Sequence, residues 1–188
     1  PEFMHAGRVQ IREAVREVFI CMGGSDPGLL TEQILGFLLH YPDSFNLHIV
    51  LARIDEDRRR QLENLLQQYH GSWELHINPP AISQVMLNAD LGIINSGLIK
   101  YETSLLGLPC LSVSNDGSHE SVMGLFAAAR TIRHMGVAAA LTEARFRQYF
   151  GFIAEERMER SQMAAASVSL FDTKGVARIF SEIQSLNN

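Results

Sequence analysis

The chain has 188 residues, 46% of them apolar, which suits one domain of ordinary size with a sizeable core and excludes a disordered chain. With 16 basic against 21 acidic residues the formal charge is −5, so there is no overall cationic field for a nucleic acid backbone, and nucleic acid is not expected as a partner. No apolar run approaches the ~18 residues that cross a bilayer, no basic-then-apolar signal opens the chain, and Cys21 and Cys110 sit far apart inside apolar runs as buried free thiols do; a soluble, cytoplasmic protein without a membrane span is expected.

In chain order, an amphipathic lead-in is followed by a continuous apolar strand, "EVFICM" (17–22), and then by "LLTEQILGFLLH" (29–40), whose apolar residues recur at helical spacing. The alternation repeats. "FNLHIVLA" (45–52), "WELHIN" (73–78), "DLGIIN" (90–95) and "LPCLSVS" (108–114) read as strands, and the segments 55–70, 80–89 and 98–107 between them read as helices. A helix is expected over 119–136, a last weak strand at "VAAAL" (137–141), and three helical segments from there to Asn188. Strands alternating with helices, several of them apolar on both sides, imply a doubly wound parallel α/β sheet covered on both faces. The charge run "DEDRRR" (55–60) reads as a solvated helix face.

In such a sheet, ligands bind beyond the carboxyl ends of the strands, where loops enter helix N-termini. Three loops qualify: "GGSDPG" (23–28), "NSG" (95–97) and "SNDGSHE" (114–120). The first offers backbone amides and the Ser25 hydroxyl to a phosphate, or else only a helix start with Asp26 as its cap and Pro27 in its first position. Gly23 and Gly28 match the outer glycines of a Walker loop, but Leu29 and Leu30 stand where Lys and Ser/Thr are required, which excludes a P-loop NTPase. A nicotinamide dehydrogenase is disfavoured, because there is no G-x-G-x-x-G and Asp55 lies well beyond the usual ~20-residue spacing. Glu102 either caps its helix or accepts the two hydroxyls of a ribose. Lys100 reads as a surface lysine, and His48 and His76 as structural histidines within strands. His119 sits on the same rim as the loops, solvated or touching a ligand. No metal-spaced cluster and no Ser/His/Asp order can be read from the chain.

Taken together, "MGGSDP", "NADLGIINSG", "KYETSLLGLPCLSVSN" and "DTKGVARI" resemble the C-terminal half of the PseG-like UDP-sugar hydrolases of pseudaminic acid biosynthesis, whose fold is similar to GT-B glycosyltransferases such as MurG. The resemblance covers residues ~17 to ~180, judged by the order of motifs along a doubly wound half. It implies a Rossmann-like C-terminal half of a GT-B fold at 17–188, preceded by an interdomain linker or lead-in at 1–16. It further implies a UDP or UDP-sugar ligand, no cofactor and no metal. Carried over by position, Gly23, Gly24 and Ser25 face the diphosphate or sugar in a rim that includes Asp26. Ser96 and Gly97 hold phosphate, Glu102 holds the ribose, main-chain groups near Asn78 to Ala81 meet the base, and Asn115 and His119 lie near the sugar.

The family turn carries two glycines, whereas Ser96-Gly97-Leu98-Ile99 has one glycine and one residue fewer, so a tighter or re-aimed phosphate turn is expected. The family's catalytic histidine belongs to an N-terminal lobe that these 188 residues do not contain, so no catalytic residue is assigned here and the chain alone is expected to be inactive. The leading reading is the nucleotide-sugar-binding lobe of a UDP-sugar hydrolase or glycosyltransferase of bacterial surface-glycan or nonulosonic acid biosynthesis, and two others stand beside it. One is a non-catalytic nucleotide-sugar sensor or interaction module appended to another enzyme, such as a sugar-nucleotide cytidylyltransferase; the other is a dinucleotide-binding domain.

Overall fold

A computed structural model describes residues 2–24, 26 and 28–186. Six parallel strands form one sheet: β1 (Glu17–Cys21), β2 (Asn46–Leu51), β3 (Trp73–Ile77), β4 (Leu91–Asn95), β5 (Cys110–Ser114) and β6 (Ile132–Val137). Their order is β3-β2-β1-β4-β5-β6, the doubly wound Rossmann-like arrangement expected from alternating strands and helices. The intervening helices are α1 (Leu30–Leu39), α2 (Glu56–Leu66), α3 (Ile82–Asn88), α4 (Ile99–Leu106) and α5 (Glu120–Ala128). After β6 come α6 (Glu143–Glu155), α7 (Arg157–Leu170) and α8 (Gly175–Leu186), the three helical segments read from the sequence.

Because the inner strands are apolar in both directions, each sheet face needs its own cover. Val18, Ile20, Ile49 and Ile93 pack with Ile34, Leu62, Phe146 and Phe150 of α1, α2 and α6 on one face. Phe19, Cys21, Val50 and Ile94 pack with Met86, Leu106, Met123 and Phe126 of α3, α4 and α5 on the other. Both cysteines are buried free thiols, as expected.

The lead-in is pinned along its length. Val9 N donates to Leu106 O at 2.9 Å. The buried Asp90 carboxylate accepts from Arg12 Nη1 (2.9 Å), Arg16 N (2.8 Å) and Glu17 N (2.9 Å). The buried Arg160 donates to the carbonyls of Arg12 and Glu13 with one nitrogen and to those of Ile153 and Ala154 with the other.

Residues 119–141 depart from the sequence reading. The helix ends at Ala128, Ile132–Val137 is the edge strand β6, and the segment expected as a strand is a 3-10 turn, Ala138–Ala140. Arg130 supplies the break by adopting φ 58°, a left-handed conformation normally left to glycine, so no sequence punctuation marks the change.

Candidate functional site

β1 and β4 are neighbours at the point where the strand order reverses, and α1 and α4 leave them toward opposite faces. The crevice that must open there is a pocket of about 500 Å³. One wall is Cys21, Gly23 and Gly24, and another is Asn95, Gly97, Leu98, Ile99 and Glu102. Val50, Leu51 and Ala52 close the floor, and Asn78, Pro79 and Ile82 complete the rim.

Asn95, the last residue of β4, holds the loops after β1 and β4 together. Its Nδ2 donates to Met22 O at 2.8 Å, across the switch point, and its Oδ1 accepts from Gly97 N at 3.0 Å, closing an Asx turn. This packing explains both glycines. A Cβ on Gly23 would lie 2.6 Å from Asn95 Nδ2, and one on Gly97 would lie 2.9 Å from Asn95 Oδ1; Gly23 also has φ +98°. Asn78 on the rim also adopts positive φ, as do Asp26 and Leu29 in the segment that leads from Gly24 into α1, costly backbone of the kind found near binding sites.

The two helix N-termini at the switch point differ. Asp26 is buried and closes α1: its carboxylate accepts from Leu30 N and Thr31 N at 3.0 Å each, and pairs with Arg58 Nη2 at 2.8 Å. Arg58 also grips Glu32 through Nε and Nη2, so it is not part of a solvated face as its charge run suggested. The start of α4, by contrast, has no side-chain cap, and its positive dipole end faces the pocket. Leu98 precedes it with φ −66° and is 77% exposed. The single-glycine turn therefore leads directly into helix without positive φ at Leu98.

Lys100 is 5% exposed rather than on the surface, and its Nζ donates to Ser96 O and Gly97 O at 2.8 Å each. Burial lowers its pKa, while the two carbonyls and the Tyr101 ring, 4.6 Å away, stabilise the ammonium. The helix N-terminus thus has a buried cation directly behind it.

Glu102 stands on the pocket wall and takes no hydrogen bond or ion pair from any described residue. Burial raises its pKa, and the neighbouring Glu2 carboxylate adds to the effect. Glu2 is itself engaged by Ser83 Oγ at 3.0 Å. Burial pushes the Cys21 thiol up to about 11, so it is protonated at neutral pH and is not a nucleophile there.

The structure therefore brings Gly23, Gly24, Asn78, Gly97 and Glu102 to one pocket. Ser96 is buried behind the turn and meets Lys100 through its carbonyl. Asp26 is occupied by its cap and ion pair. Ser25 and Pro27 lie outside the described residues. Asn115 and His119 are exposed on the loop after β5, off the pocket wall, with His119 Nδ1 3.0 Å from Ser118 Oγ. A chain from Ser112 through His134 to Glu120 (2.8 and 2.9 Å) has the composition of a hydrolase triad, but its serine is buried within β5 and out of substrate reach. Asn95 lies in the candidate loop "NSG" (95–97) but was not itself among the expected site residues; its position as the polar end of the apolar run "LGII" was the signal that could have singled it out.

No family model matches the chain. It is 33% identical over 96 residues to the uncharacterized protein MJ1062 of Methanocaldococcus jannaschii, covering 50% of this chain and 20% of that protein. It is 23% identical over 181 residues to the spore coat polysaccharide biosynthesis protein SpsG of Bacillus subtilis, covering 94% of this chain and 52% of that one. Among solved structures it is similar to Acinetobacter baumannii MurG, with TM-score 0.76, 16% identity, and coverage of 94% of this chain and 51% of that chain. It is also similar to Alr3699/HepE of Anabaena, solved with UDP-glucose, with TM-score 0.69, 14% identity, and coverage of 90% and 49%. The fold is α/β and Rossmann-like, matching the C-terminal domains of GT-B proteins such as MurG. The chain spans about half the length of SpsG and of both solved structures, and a fifth of MJ1062. Among the described residues no helix is long and apolar enough to cross a membrane.

Proposed function

We propose that the chain is the nucleotide-sugar-binding lobe of a two-lobed GT-B-type enzyme of surface-glycan biosynthesis, a UDP-sugar hydrolase or a glycosyltransferase, with a uridine diphosphate sugar as ligand. The observation that carries this is Glu102, a carboxylate without a hydrogen-bond or ion-pair partner among the described residues, on the wall of the pocket that α4 enters with no side-chain cap among them. A half-buried carboxylate without a partner is costly unless a ligand supplies donors, and the 2′- and 3′-hydroxyls of a ribose are such donors. The diphosphate then lies against the α4 N-terminus, with Lys100 behind it, rather than against α1, where the Asp26 carboxylate already occupies the amides. The base sits between the floor and the Asn78–Ile82 rim.

The UDP-glucose bound to HepE and the polysaccharide role of SpsG support the ligand class and the process. The two-lobed form is supported by the chain's half-length match and by α8. Its apolar stripe of Val176, Ile179, Phe180 and Ile183 is exposed, as expected of a face that the other lobe covers. In the hydrolase reading, water attacks the anomeric carbon, the bond to the diphosphate oxygen breaks, and UDP leaves with its charge held by α4 and the loop amides. The base that deprotonates the water belongs to the other lobe.

Calorimetry tests the ligand. UDP-glucose or UDP should bind in preference to ATP and NAD, without turnover by this lobe alone. Tighter binding of NAD would refute the assignment, and hydrolysis by the isolated chain at an ordinary enzymatic rate, of order 1–10³ s⁻¹, would refute the division of labour between lobes.

A further inference from the structure

Away from the nucleotide pocket, His48 of β2 and Glu74 and His76 of β3 converge. β2 and β3 pair in parallel with His48 opposite Glu74 and Val50 opposite His76, so all three side chains project from one sheet face. β3 is an edge strand, which leaves this end of the face partly open. His48 Nδ1 lies 3.4 Å from His76 Nε2 and 3.8 Å from Glu74 Oε2, and the last two atoms are 3.5 Å apart. We infer that His48, Glu74 and His76 form a binding site for a divalent transition-metal ion of the zinc class.

The triangle has the right size. Zinc binds imidazole nitrogen and carboxylate oxygen at about 2.0–2.2 Å, so two ligands of a tetrahedral ion stand about 3.4 Å apart. The donor set, two imidazoles and one carboxylate, suits zinc, cobalt, nickel or copper and not magnesium or calcium, which take oxygen. The fourth position falls to solvent.

The surroundings prepare one ligand. His48 Nε2 is 2.8 Å from Glu17 Oε2, and the same carboxyl group, through Oε1, accepts from Asn46 Nδ2 at 2.7 Å. A carboxylate there holds the proton on Nε2 and leaves the Nδ1 lone pair turned toward His76 and Glu74, the carboxylate–histidine–metal arrangement found behind many zinc ligands. Without a metal, the same contacts amount to a long hydrogen bond between two imidazoles and two looser contacts of the Glu74 carboxylate, at 3.5 and 3.8 Å. With one, the ion links the edge strand to β2, just before the Asn78 rim of the pocket. The sequence does not reveal the set, because sheet pairing brings together residues 26 and 28 positions apart.

The test uses metal-free chain prepared by chelation and titrated with Zn²⁺ alone, by calorimetry and by thermal melting, and with Co²⁺ alone, by visible absorption. One equivalent of zinc should bind saturably and raise the melting temperature, and Co²⁺ should give the strong absorption bands of a four-coordinate site. His48→Gln and His76→Gln should each weaken zinc at least tenfold and their combination should abolish the rise in melting temperature, whereas His70→Gln, elsewhere on the chain, should change neither. Glu17→Gln should weaken zinc about 10–100-fold, as loss of a partner behind a ligand does. Absence of one-equivalent zinc binding to the unmutated chain would overturn the inference, as would equal affinity in the folded double variant. Should the double variant fail to fold, weak six-coordinate-type Co²⁺ bands from the unmutated chain would overturn it equally. UDP binding does not enter any of these readouts.

Discussion

Replacing Asp26 by Ala separates a structural role for this residue from direct contact with the ligand. The substitution removes the acceptor of two α1 amides, a helix-capping loss of about 0.5–2 kcal/mol. It also removes the 2.8 Å bond from Arg58, and hydrogen bonds to charged groups contribute about 1.5–3 kcal/mol. Arg58 keeps Glu32 through two nitrogens, so its charge is not stranded as it would be in a buried pair broken outright. The sum is about 2–5 kcal/mol. In a chain of this length 1 kcal/mol moves the melting temperature by about 2–4 °C, so a fall on the order of 10 °C is expected. Urea and thermal unfolding would measure it, with UDP-glucose calorimetry run where the variant is still folded. The affinity should stay within about threefold. An unchanged melting temperature with UDP-glucose binding abolished would refute the reasoning and make Asp26 a ligand contact.

Glu102→Ala should weaken UDP-glucose about tenfold to a hundredfold, the loss of a charged hydrogen-bond acceptor, with the melting temperature unchanged or higher; undiminished affinity on calorimetry would remove the ribose role. Glu102 also predicts a pH dependence. Its folded-state pKa is raised, so the burial cost is present at neutral pH and is relieved as pH falls through that raised value. Chemical denaturation should show the unmutated chain gaining on Glu102→Gln over this window, while its UDP-glucose affinity falls as the carboxylate is protonated. Asn95→Ala removes bonds to Met22 O and Gly97 N; it should cost about 1–3 kcal/mol on denaturation, speed hydrogen exchange at the Gly97 amide, and weaken UDP-glucose.

The strand and helix alternation was legible because buried parallel strands are apolar on both sides and helices carry a 3.6-residue stripe; both are local patterns. β6 was not, because Arg130 takes a left-handed turn that the sequence reserves for no special residue. The side chains that join separate elements were equally hidden. Arg58 looks like one charge among several in "DEDRRR" until α2 lies beside α1 and Asp26 is within reach. Lys100 looks exposed until its stem is found packed and its Nζ turned back on two carbonyls of its own turn. The loops themselves stood out by their glycines and polar residues, so Gly23, Gly24, Gly97 and Glu102 of the pocket wall and Asn78 of its rim could be named from the sequence. Its apolar floor could not, since Val50 and Leu51 look like any other strand residues.

The placement of Asn95 between Gly23 and Gly97 constrains how this protein can diverge. A side chain at either glycine collides with the same amide, so both positions are constrained while Asn95 stays, and an apolar residue in place of Asn95 releases Met22 O and Gly97 N at once. Three residues spread over 75 positions therefore behave as one heritable unit. Descendants that acquire a longer turn after β4 should do so with a smaller residue at 95, and sequences that keep asparagine there should keep both glycines.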